Sequence, residues 1–248
     1  MIIYMNMTDS LGDFLSGLPT LKGIHDAYGK FQLIIKSTNR KFRGIKELLE
    51  YQDLFASVNF DDEVFVQGAM HMFIPPNKIN EFTNSPIRPG EVCRFENAMK
   101  DMYGLKFEAD DNFVIKFPEM TTNKTDDYIA GDRWAGPQID GRRAVNVLAG
   151  LDGVTFLDYN EDLLTNCAII KSSNKPFIGN FTGSAVLANL LDKEMWVVWK
   201  KEDWAPQFWN GEDILWDNGK NIQQTFERHF YTNRNCKLVH ASELKDLL

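Results

Sequence analysis

The chain has 248 residues, 44% hydrophobic and 25% charged, with a net charge of −8 and a pI near 5.1. That composition suits a globular protein able to bury one large core or two small ones, and the acidic balance counts against a broad nucleic-acid-binding face. No apolar run approaches the ~20 residues of a membrane span, no basic region followed by a long apolar segment opens the chain, and three widely spaced cysteines (Cys93, Cys167, Cys236) show no disulfide framework or metal-ligand rhythm, so a reduced, cytoplasmic protein is expected.

Ile2-Ile3-Tyr4-Met5 reads as a short buried strand. Polar residues make a turn over Asn6 to Gly12, and an amphipathic helix follows with Leu15, Leu18, Leu21 and Ile24 at helical spacing. The carboxylate of Asp13 thus stands where a strand ends and a helix begins. There it serves either as a helix cap or as a group facing a ligand, since open α/β sheets bind ligands beyond the carboxyl ends of their strands. Gly29 closes a turn, Phe31 to Ile35 is a second strand, Lys41 to Tyr51 a helix, and Ser57 to Phe60 a third strand. This alternation predicts a parallel sheet built of βα units.

From Asp61 to Gly90 the pattern loosens into a Pro-rich, loop-dominated region, with Val64-Phe65-Val66 as a candidate strand. His71 is the histidine of this region; it is either a packed ring or a polar group on the acceptor side of a site. Phe95 to Tyr103 is a helix stopped by Gly104. The acidic stretch from Glu108 to Asn112 marks a domain boundary, dividing residues 1–108 from 109–220, with a helical tail at 221–248. The pairs Asp61-Asp62, Asp110-Asp111 and Asp126-Asp127 read as solvated turns, and no metal site is expected.

The second half restarts the alternation. Strands are expected at Phe113–Phe117, Val154–Leu157, Cys167–Ile170 and Met195–Trp199, and helices at 140–148 and 185–191. Thr121 and Thr122 follow the first of these strands. Phe177-Ile178-Gly179 leads into Thr182-Gly183-Ser184 and then a helix, an arrangement that can cradle a phosphate because a helix N-terminus offers N–H groups and a positive dipole end. The tail holds a Trp-rich loop (Trp204, Trp209, Trp216), a helix near Asn221–His229, a strand at Cys236–Val239 and a closing helix capped by Ser242. Two similar α/β domains with a cleft between them are what this order predicts.

Gly12-Asp13-Phe14-Leu15, followed by Leu18-Pro19-Thr20-Leu21, resembles the N-terminal signature of the heptosyltransferase-type enzymes, glycosyltransferase family 9. Gly131-Asp132-Arg133-Trp134 resembles that family's basic residue followed by Trp. Thr182-Gly183, Leu187-Ala188 and the strand from Met195 resemble its donor-binding motif, Asp-Thr-Gly-x-x-His-x-Ala. Phe181 stands where that motif has Asp, and Val186 where it has His. A backbone phosphate grip survives both changes; a side-chain contribution to donor recognition does not.

The resemblance implies two Rossmann-like domains facing across a cleft (the GT-B type) and metal-independent, inverting transfer from a nucleotide-sugar, with no further cofactor. Asp13 would be the general base and Gly12 and His71 would lie on the acceptor side. Arg133, Thr182, Gly183 and Ser184 would hold the donor phosphates, and Thr121, Thr122 and Trp134 would line the donor pocket. A saccharide acceptor is implied, with a modified nucleic-acid base as the other candidate. The competing reading is a degenerate member that binds a nucleotide or sugar without turnover. An unrelated nucleotide enzyme is disfavoured, because no Gly-x-Gly-x-x-Gly, phosphate-loop lysine motif or nucleophile-elbow serine occurs.

Overall fold

A computed structural model describes residues 1–5, 11–36, 42–61, 63, 65–72, 90–131, 145, 147–158, 161–199, 226, 230 and 235–248, with the backbone alone at 13 and 90–94. The chain forms two compact units, Met1–Glu119 with Asp162–Thr165, and Met120–Glu161 with Asn166–Leu248.

The first unit holds β1 (Ile2–Met5), α1 (Leu11–Ser16), α2 (Leu18–Tyr28), β2 (Phe31–Lys36), α3 (Ile45–Glu50), β3 (Phe55–Asp61), β4 (Met70–His71) and α4 (Gly90–Tyr103). Its sheet runs β3-β2-β1-β4, every pair parallel. Parallel strands covered by helices read as continuous apolar runs, and Ile3, Tyr4 and Met5 are fully buried. Phe14, Leu15, Leu18, Leu21 and Ile24 bury the facing stripe of α1 and α2. The expected single helix is broken in two at Gly17. Pro19 cannot donate to a carbonyl one turn back, so the ladder restarts there, with the Leu21 N–H donating to the Gly17 carbonyl at 3.1 Å.

Phe113–Phe117 is not a strand. Phe113 and Ile115 point inward and Val114 and Lys116 outward, so the alternation is real, but the segment packs as a strap on the first unit. Its ladder partner is one side chain. Gln52 Oε1 accepts the Lys116 N–H at 2.9 Å, and Gln52 Nε2 donates to the carbonyls of Lys116 at 2.7 Å and Leu48 at 2.6 Å. Gln52→Ala removes all three bonds and leaves the Lys116 backbone without the side chain that pairs it. It is expected to cost about 2–3 kcal/mol, read as a lower denaturant midpoint, and to speed proteolysis of the strap. The expected boundary at 108/109 precedes this strap, and the compact units divide after it.

The second unit holds β5 (Tyr128–Ala130), β6 (Val154–Phe156), β7 (Phe177–Gly179), α6 (Gly183–Leu190), β8 (Met195–Trp199), β9 (Cys236–His240) and α7 (Leu244–Leu247); α5 (Leu163–Ser172) begins in the first unit's share of the chain. The order is β6-β5-β7-β8-β9, again parallel throughout. Ala130, Ile178, Val198 and Val239 from four of these strands meet Val145, Leu148 and Leu244 in one core.

Several expectations change here. Cys167–Ile170 lies within α5, because an apolar run that short fits either a strand or a helix and the start signal decides: Asp162 Oδ1 accepts the Leu164 N–H at 2.8 Å. The tail contributes a strand, β9, to the second sheet, so 235–248 is part of that unit and not a helical appendage. Ser242 does not cap α7, which follows Glu243; its hydroxyl is 2.7 Å from His240 Nδ1. β4 and β5 were not expected, and Phe65 and Val66 are not in a strand. Of the helix expected at 140–148, residues 145 and 147–148 are described, in a 3₁₀ turn. The Trp-rich loop lies outside the described residues. Among those described, no helix is long and apolar enough to cross a membrane.

Candidate functional site

Each sheet has one place where the chain reverses direction across it. In the first sheet the strands run outward from β1 to β3, and β4 then joins the opposite edge of β1. In the second, β6 lies on one side of β5 and β7 on the other. Connections leaving such a pair diverge to opposite faces, which opens a crevice at the carboxyl ends, where doubly wound sheets hold ligands.

At the first switch point, β1 leads into α1, whose first turn contains Gly12 and Asp13. Asp13 is the third residue of that helix, so it is not the residue preceding it. The Gly12 carbonyl accepts the Ser16 hydroxyl at 2.8 Å. His71, on the neighbouring strand, pairs in register with Tyr4. Its ring is buried edge-on against Tyr4, with centroids 5.2 Å apart, and stacked at 4.6 Å under Phe65, which is 68% exposed. His71 Nε2 lies 3.2 Å from the Val66 carbonyl, and the Tyr103 hydroxyl accepts the His71 backbone N–H at 2.7 Å. This histidine is built into the packing, and Phe65 is the aromatic surface left outside it.

At the second switch point, Gly131 follows β5 and donates its N–H to the Ile178 carbonyl at 2.6 Å. A Cβ on Gly131 would lie 3.0 Å from Ser184 Oγ and 3.5 Å from Gly179 Cα, so the two strand ends and the start of α6 converge on this glycine. Thr182 is the extended residue ahead of α6, with φ −131° and ψ 168°. Its hydroxyl makes no cap bond to the helix and lies 3.0 Å from Ser184 Oγ. The first helical bond runs from the Val186 N–H to the Thr182 carbonyl at 3.1 Å. The opening turn of a helix has N–H groups with no intrahelical acceptor, and here they begin at the crevice.

No protein-family model and no curated protein matches the chain. Among solved structures, the glycosyl transferase family 9 protein from Veillonella parvula aligns with 99% of this chain and 87% of its own, at 10% identity and a TM-score of 0.58. The fold is the one seen in a family 9 glycosyltransferase. E. coli heptosyltransferase WaaC with ADP aligns over 99% of this chain and 98% of its own, at 13% identity and a TM-score of 0.49.

Within this fold the remaining expected site residues are distributed unevenly. Gly12 and Asp13 stand at the first crevice, and Thr182, Gly183 and Ser184 at the second. Arg133 and Trp134 lie outside the described residues. Thr121 and Thr122 do not join them: no strand precedes them, and they lie upstream of Thr125, which pairs with Ser173 ahead of the amino ends of β5 and β7. The two departures from the donor motif are absorbed by packing. Phe181 is buried with its ring 5.6 Å from Phe230, and Val186 is buried in α6, so neither position offers a polar group.

One residue of this crevice was not singled out in the sequence. Asn180, between β7 and Thr182, is 2% exposed, and its Oδ1 accepts the Val145 N–H at 3.1 Å. The signal was a polar residue directly after a buried strand, and the adjacent Thr-Gly-Ser overshadowed it. Among the described residues no group of His, Cys, Asp and Glu is placed to hold a metal. Burial pushes the Cys236 thiol up to about 12, which disfavours its thiolate, and Cys167 is buried.

Proposed function

We propose that the chain is a glycosyltransferase of the GT-B type that moves a sugar from a nucleoside-diphosphate donor to an acceptor hydroxyl with inversion and without a metal. The observation that carries this reading is the second crevice, where the ends of β5 and β7 converge on the start of α6 and set a helix N-terminus at the switch point of the sheet. The likeness in fold to a family 9 glycosyltransferase supports it.

Asp13 takes the proton of the attacking hydroxyl, and the anomeric carbon exchanges its bond to the diphosphate oxygen for one to the acceptor oxygen. Charge grows on the departing diphosphate, and the N–H groups of Gly183 and Ser184, with the Arg133 guanidinium, stabilise it. No further cofactor is needed. A saccharide is the acceptor we favour over a modified nucleic-acid base, because a net charge of −8 opposes the phosphate contacts such a polymer demands. We place the reaction in the cytoplasm.

Incubating the protein with a panel of nucleotide-sugars and candidate saccharides tests the reading. Release of nucleoside diphosphate is expected, with the rate unchanged in excess chelator. Turnover that stops in chelator contradicts the metal-independent mechanism. The second reading, a nucleotide-binding protein without turnover, is favoured by the burial of Phe181 and Val186. Its signature is thermal stabilisation by a nucleotide with no product.

A further inference from the structure

We propose that the side-chain amide of Asn180 is a donor for the diphosphate at the second crevice, contributing to the grip of that ligand alongside the N–H groups of α6. This inference rests on the donor-site reading above and adds a residue to it.

Three observations converge. The Asn180 amide is enclosed, yet its Nδ2 has no hydrogen-bond partner among the described residues. Native interiors seldom leave a donor unmet, so one that is unmet calls for a reason. The orientation of the amide follows from its other bond. The Val145 N–H can only donate, so the atom facing it is the oxygen, and the unspent group is the NH2. Third, the location is a site. Val145 belongs to the connection that leaves β5, and Asn180 to the turn that leaves β7. The side chain therefore bridges the two strand exits at the switch point. Its backbone carbonyl also accepts the N–H of Thr182, the residue ahead of α6, at 2.9 Å.

A group that can only donate selects a ligand rich in acceptors. The start of an eight-residue helix beside it selects negative charge. Phosphate oxygens satisfy both. An amide donor shielded from water makes a stronger bond to such an oxygen than one that must first shed solvent.

The test uses the full-length protein, ¹⁵N-labelled, titrated with inorganic pyrophosphate and in parallel with ADP, UDP, GDP and CDP. The Asn180 side-chain resonances are assigned through bonds and checked by their loss in Asn180→Asp. That variant keeps an oxygen for the Val145 N–H and replaces the NH2 with a second oxygen; because the new carboxylate is buried, its melting temperature is expected to fall, and binding is compared at a temperature where both proteins are folded. On saturation with pyrophosphate the Asn180 NH2 resonances should move, and Asn180→Asp should bind it about ten-fold more weakly or worse. Wild-type binding that leaves these resonances in place overturns the inference while the donor-site reading stands. A weaker Asn180→Asp alongside static wild-type resonances is then an effect of added charge alone. If wild type binds neither pyrophosphate nor any of the four nucleotides, the donor-site reading fails and this inference fails with it.

Discussion

Gly23→Ala lowers the stability of the first unit by about 3 kcal/mol, although helix propensity alone favours alanine by about 1 kcal/mol at a helix-interior position. Gly23 lies in the middle of α2, where residues 108–110 cross the helix. A Cβ there would land on the Glu108 carbonyl oxygen, with the carbonyl carbon at 2.8 Å and Ala109 Cα at 3.0 Å. All three atoms are backbone, so no side chain can swing aside.

Residues 108–110 cannot easily move either. The Asp110 N–H donates to the Pro19 carbonyl at 3.0 Å, and buried Glu96 accepts the Ala109 N–H at 3.0 Å and the Lys100 ammonium at 2.8 Å. Burial opposes the charge on Lys100, but Glu96 and Glu108 outweigh it and raise its pKa, so the ammonium stays charged at neutral pH. The expected readout is a fall in melting temperature of roughly 10 °C, larger in Gly23→Val. A Gly23→Ala protein as stable as wild type contradicts the described packing of α2.

Asp13→Asn is expected to cut turnover at saturating donor by 10²–10⁴, about 3–5 kcal/mol of transition-state stabilisation, and to leave nucleotide affinity within about two-fold of wild type. The size of the side chain is preserved, so the substitution isolates the proton. A sugar hydroxyl attacking an anomeric carbon becomes acidic only as the bond forms. A carboxylate takes that proton, and a carboxamide has no basic site for it. The unchanged affinity follows because the proposed diphosphate grip belongs to the second unit, whereas Asp13 belongs to the first. The pH–rate profile discriminates further: the acid limb of the wild-type profile should vanish in the variant. Activity within a few-fold of wild type removes Asp13 from the mechanism.

Legibility followed element length and partner. β1, β2 and the stripe from Leu15 to Ile24 were plain because each spans enough apolar positions to show a run or a period. β4 has two residues and β5 has three, too short for any period, and parallel pairing with neighbouring strands is what makes them strands. The strap at 113–117 shows the opposite failure. Its alternation was legible, but nothing in the order of residues says that Gln52, and not a strand, would take up the Lys116 backbone.

The site divides along the same line. Gly12-Asp13 and Thr182-Gly183-Ser184 were legible as motifs because a strand exit and a helix entry are local events. The convergence of Gly131, Gly179 and Ser184, and the bond from Val145 to Asn180, come from strand order, which places segments distant in sequence side by side.

The most direct test of the central claim is a thermal-shift panel of nucleoside diphosphates on wild type, Asp13→Asn and Arg133→Ala. A ligand at a hundred times its dissociation constant stabilises the folded state by ~2.7 kcal/mol. One nucleotide is expected to raise the melting temperature of wild type and Asp13→Asn, and to lose that effect in Arg133→Ala. A wild-type protein that no nucleotide stabilises would contradict the donor site and, with it, the assignment as a glycosyltransferase.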